Sequence, residues 1–85
     1  MVAKIDLITN SDINEFCFAA SKVNGDVIIR TKNGKYKVNA KSIMGCLLAA
    51  AEWEGDTWVE TEGDTYTHFE KWINTAAGDA NFIHD

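Results

Sequence analysis

The chain has 85 residues, of which 46% are hydrophobic and 25% charged, a composition ordinary for one small globular domain. Its net charge of −5 argues against a direct nucleic-acid-binding surface, which needs clustered Lys and Arg. No apolar run approaches the ~20 residues of a membrane-spanning helix, and the first residues lack a signal-peptide pattern, so a cytoplasmic protein is expected. Cys17 and Cys46 fall in separate segments with no Cys/His cluster around them. They read most simply as small core residues, with a disulfide as the lesser alternative and no metal or cofactor expected.

Val2 to Ile8 alternates loosely and reads as a strand. Thr9-Asn10-Ser11-Asp12 is a run of helix-capping residues, and Asp12 followed by Glu15 fits a capping box. A helix is expected to about Lys22, with Ile13, Phe16, Ala20 and Val23 on one face and Gly25 as its left-handed stop. Asp26 to Ala40 reads as a hairpin about Asn33-Gly34, whose type I′ turn sets a register. That register pairs Lys32 with Lys35, Thr31 with Tyr36, Arg30 with Lys37, Ile29 with Val38 and Val27 with Ala40. The apolar pairs then face the helices, and the opposed cations face water. Ser42 opens a second helix to about Trp53, ended by Gly55. Asp56 to Glu62 is a strand. Asp64 or Thr65 caps a third helix with Phe69, Trp72 and Ile73 on its buried stripe, ended by Gly78. The pattern implies an α+β open-faced sandwich: a four-stranded antiparallel sheet covered on one face by three helices (βαββαβα). Residues 1–77 form the domain and 78–85 a C-terminal tail, in which Phe82-Ile83 is able to dock.

Three segments carry a resemblance: Phe16 to Val27, Asn33-Gly34-Lys35 and, most specifically, Val38-Asn39-Ala40-Lys41-Ser42-Ile43-Met44-Gly45. They resemble the HPr-like family of the bacterial sugar phosphotransferase system over about Ile5 to Ile73. The resemblance implies an HPr-like fold and places Ser42 at the family's regulatory serine. It also implies two partners: HPr kinase/phosphorylase, and a LacI-type transcription factor that binds the phosphoprotein in catabolite repression. The family's phosphocarrier motif, Gly-Leu/Ile-His-Ala-Arg-Pro, lies just before the first helix. Counting back from Phe16 puts Thr9 at the phosphoacceptor His, Ser11 at the Arg and Asp12 at the Pro. Phosphotransfer needs an imidazole, a cation and helix N-terminal amides. A threonine without an adjacent base and an aspartate that repels phosphate supply none of this. The chain therefore looks like a Crh-like member of the family that lacks the phosphoacceptor histidine, with no catalytic residue to assign.

Of the two histidines, His68 reads as a surface helix residue and His84 as part of the tail. Ser42 reads either as a plain N-cap or as a phosphorylation site, and the two are compatible. Lys41 and Lys37 add positive charge nearby. Ile43, Met44 and Leu47 are either a docking patch beside the serine or core, with Cys46, Leu48 or Ala49 the other candidates for the core. The acidic stretch from Glu52 to Asp64 reads as a solvated face, and Trp53, Trp58, Tyr66 and Phe69 as parts of a small core. Three functions follow in order of expectation: a regulatory partner-binding protein switched at Ser42, a constitutive interaction module, and a working phosphocarrier.

Overall fold

In the computed structural model, which describes residues 1–83, the elements run β1 (Val2–Lys4), α1 (Asn10–Ser21), β2 (Val27–Arg30), β3 (Lys37–Asn39), α2 (Ile43–Glu52), β4 (Trp58–Thr61), α3 (Tyr66–Phe69), a 3-10 turn (Gly78–Asn81) and β5 (Phe82–Ile83). All strand pairs are antiparallel, in the order β3-β2-β4-β1-β5. The α+β layout and antiparallel sheet are as expected, but the sheet has five strands rather than four. Phe82 and Ile83 pair with Ala3 and Val2, so this part of the expected tail docks on the sheet as its fifth strand. His84, expected in that tail, lies outside the described residues.

Residues of strand period two divide the sheet into two faces. Ala3, Val59 and Ile29 stand side by side on one face and are fully buried. With Val27 they join Ile13, Phe16 and Ala20 of α1, Cys46 and Ala49 of α2, and Phe69, Trp72 and Ile73 in a single core. The opposite face carries Lys4, Trp58, Arg30 and Lys37 in one row.

The hairpin register is as read for Arg30↔Lys37 and Ile29↔Val38, and the Ala40 N–H donates to the Val27 carbonyl at 2.9 Å. The turn differs. Gly34 has φ +74°, but Asn33 does not have positive φ, which rules out type I′. Instead the Gly34 N–H donates to the Thr31 carbonyl, and the Asn33 side-chain oxygen accepts from the Lys35 N–H and the Thr31 hydroxyl. Asparagine's bonding to its own turn competes with the two-residue geometry and wins, and the Lys32/Lys35 pair is replaced by a four-residue loop.

The cation pair Arg30/Lys37 is also not simply wet. Glu60 of β4 reaches Arg30 at 2.8 Å and Lys37 at 3.6 Å, and the Arg30 side chain is only 15% exposed. The hydrogen bond from Arg30 holds the Glu60 carboxyl below its ordinary value of 4.5, aided by the charges of Lys37 and Arg30 against a smaller opposing effect of burial. A folded-state value below the unfolded one means that this contribution to stability is complete above about pH 4.5 and is lost as pH falls through the depressed value. Urea midpoints measured downward from pH 6 are expected to fall less steeply in Glu60→Gln than in the parent chain; parallel curves would show that Glu60 has no part in acid destabilisation.

Further expectations are corrected. The first strand is short, Val2–Lys4, followed by an isolated bridge from Ile5 to Ile73. That bridge takes Ile73 out of the third helix, which is one turn long, and Gly78 opens the 3-10 turn rather than ending the helix. Of the two expected caps, Thr65 precedes α3 without a side-chain capping bond, whereas the Asp64 carboxylate accepts from the Tyr66 N–H at 3.1 Å. Trp58 is buried, yet on the face away from the helices, where Asp56 accepts its indole N–H at 2.9 Å.

Candidate functional site

The N-termini of α1 and α2 differ in what fills them. At α1 the N-cap is Thr9, not Asp12, and the capping box is Thr9 with Asp12 rather than Asp12 with Glu15. The Thr9 hydroxyl accepts from the Asp12 N–H at 3.0 Å, while the Asp12 carboxylate accepts from the Thr9 and Ile8 N–H groups at 3.1 and 3.2 Å. These backbone donations, that of Thr9 foremost, hold the Asp12 carboxyl below its ordinary value of 3.8. A carboxylate therefore already neutralises the positive end of α1. Ser11 is exposed in the first turn and supplies no cation.

At α2 the N-cap is Ser42, as read. Its extended backbone (φ −95°, ψ 123°) turns the hydroxyl back to accept from the Gly45 N–H at 3.3 Å. The preceding turn is tight: the Ser42 N–H donates to the Asn39 carbonyl at 3.1 Å, and the Lys41 N–H to the Asn39 side chain at 2.9 Å. Ser42 is exposed, and the first turn of α2 holds no acidic residue. The positive end of this helix is free to receive an anion.

Beside it lies an apolar surface. Cys46 and Ala49 face the core, and their small size brings α2 close to the sheet. Ile43, Met44 and Leu47 face outward, 40%, 71% and 41% exposed, and Leu48 joins them rather than the core. Three to four residues apart on a helix, these side chains form one continuous stripe starting at Ser42. Phe18 of α1 is a further exposed apolar residue that sequence reasoning missed; its place off the Ile13/Phe16/Ala20 stripe was the available signal.

The two lysines expected to strengthen the Ser42 site are engaged elsewhere. The Lys41 ammonium donates to the Val23 carbonyl at 2.8 Å, just past the end of α1, and Lys37 lies against Glu60. His68 is an exposed residue of α3. Asp56 and Glu60 of the acidic stretch have structural partners, Asp56 accepting from the Lys32 N–H and the Trp58 indole, and Glu60 from Arg30. Among the described residues there is no cluster of three His, Cys, Asp or Glu side chains able to hold a metal, and no helix long and apolar enough to cross a membrane. No family model, curated protein or solved structure matches this chain.

Proposed function

We propose that the chain is an HPr-like cytoplasmic regulatory protein that has lost phosphocarrier chemistry and works by docking a protein partner through α2, controlled by phosphorylation at Ser42. The observation that carries this reading is the exposed Ser42 hydroxyl at an acid-free helix N-terminus, with the exposed Ile43/Met44/Leu47 stripe within one turn of it. The other helix N-terminus supports the loss of transfer chemistry. Thr9 caps α1, just before the first helix where the resemblance puts the phosphoacceptor, and Asp12 occupies the ground a phosphoryl group would need. An enzyme is disfavoured because no nucleophile, base and oxyanion set assembles around either end.

By resemblance the modifying enzyme is HPr kinase/phosphorylase and the partner a LacI-type transcription factor. Leu47 is exposed, so Leu47→Asp leaves the fold intact while placing a charge at the centre of the docking stripe. Titration calorimetry of the kinase-treated chain against such a factor is expected to show binding that weakens by at least ~10-fold in Leu47→Asp, the scale of a single anchor residue. Equal affinity of the two chains would remove α2 as the docking surface.

The engagement of Lys41 by Val23 and of Lys37 by Glu60 favours a second reading. With those cations committed, the stripe serves as a constitutive docking surface and Ser42 as a cap alone. Binding by the unmodified chain, unchanged in Ser42→Ala, is the result this reading expects.

A further inference from the structure

The two cysteines converge on one turn of backbone. Cys17 projects from α1 and is partly exposed, and its thiol donates to the Lys41 carbonyl at 3.5 Å. Cys46 projects from α2 and is fully buried, and its thiol donates to the neighbouring Ala40 carbonyl at 3.1 Å. Two thiols from different helices thus bind consecutive carbonyls in the segment that leads into α2. Burial pushes the Cys46 thiol up to about 12, and the Cys17 thiol adds to the effect.

We propose that Cys17 and Cys46 form a peroxide-responsive pair that oxidises to an intramolecular disulfide tying α1 to α2. The difference in exposure assigns the order of events. The Cys17 thiolate attacks a peroxide oxygen; the S–O bond forms, the O–O bond breaks, and the released hydroxide takes a proton to become water. The Cys46 sulfur then attacks the Cys17 sulfenic sulfur. The S–S bond forms, the S–O bond breaks, and the departing hydroxide leaves as water with the Cys46 proton. In sum, two thiols and one hydrogen peroxide give one disulfide and two waters. Cys46, buried and protonated, is inert to oxidant arriving from solvent and reacts only through Cys17. Once the bond forms, neither sulfur can donate to Ala40 or Lys41, so the same event that fixes the two helices together removes two hydrogen bonds from the start of α2.

The test is to treat the folded chain with hydrogen peroxide, block the remaining thiols and map peptides by mass spectrometry without reductant. The expected result is loss of both free thiols into one Cys17–Cys46 linked species in the monomer, reversed by dithiothreitol. In Cys17→Ser, a substitution at the partly exposed site, the Cys46 thiol is expected to stay free. Oxidation of Cys17 to sulfinic or sulfonic acid, or into a disulfide between chains, with Cys46 left as a thiol, would overturn the proposal. So would oxidation of Cys46 at an undiminished rate in Cys17→Ser.

Discussion

Phe16→Ala is expected to cost about 3–5 kcal/mol and to leave much of the chain unfolded at 37 °C. Phe16 is fully buried at the centre of the core, its ring 5.1 Å from Phe69 and edge-on to Trp72 at 5.4 Å. It is the side chain through which α1 holds the third-helix region. That region cannot hold itself, because α3 is a single turn, and so short a helix is not stable alone. A domain of this size has a total stability of roughly 4–13 kcal/mol, so the loss is a large share of it. Urea unfolding followed by tryptophan fluorescence and by circular dichroism checks the value, with Phe16→Leu expected to lose less than half as much. A loss below ~1 kcal/mol for Phe16→Ala would mean that the α1–α3 contact is not a principal source of stability.

Gly45→Ala is the second large effect, and its sign runs against helix propensity. Ala is better than Gly inside a helix by about 1 kcal/mol. Here a Cβ would stand 2.6 Å from the Asn39 carbonyl oxygen and 3.4 Å from the Val38 Cβ. The Asn39 backbone cannot easily yield, since its carbonyl accepts the Ser42 N–H and its side chain the Lys41 N–H. The first turn of α2 must therefore lift from β3, with an overpacking cost of ~1–3 kcal/mol. A net loss of up to about 2 kcal/mol is expected, read from the urea midpoint with Met44→Ala as a near-neutral control on the exposed side of the same turn. Stabilisation by Gly45→Ala would show that α2 does not pack against Asn39 at this distance.

Much of the fold was legible because it is local. The Ile13/Phe16/Ala20 stripe, the Ser42 cap and the Ile29/Val38 register each follow from residues within a few positions of one another. What was not legible depends on residues distant in the chain. The fifth strand needs Phe82 beside Ala3, the end of α3 needs Ile73 beside Ile5, and the shielding of Arg30 and Lys37 needs Glu60 from β4. The spacing of Phe69, Trp72 and Ile73 fits a continued helix equally well, and only the Ile5 bridge decides against it. The error at α1 was local: Thr9 with Asp12 and Asp12 with Glu15 offer the same three-residue spacing one turn apart, and the familiar Glu favoured the wrong one. At the candidate site, the exposure of Ile43, Met44 and Leu47 turned on which side of α2 meets the sheet. Cys46 and Ala49 decide this, because small side chains permit the close approach that Gly45 also requires.

The asymmetry between the two helix N-termini, one filled by Asp12 and one open at Ser42, is tested most directly by phosphate mapping with two donors. The chain is incubated in parallel with phosphoenolpyruvate and enzyme I, and with ATP and HPr kinase/phosphorylase, and the products are located by mass spectrometry under conditions that preserve phosphohistidine. A single acid-stable phosphate on Ser42 from the second donor, and none from the first, is the predicted result. An acid-labile phosphate from the first donor, or an unmodified Ser42 after the second, would contradict it.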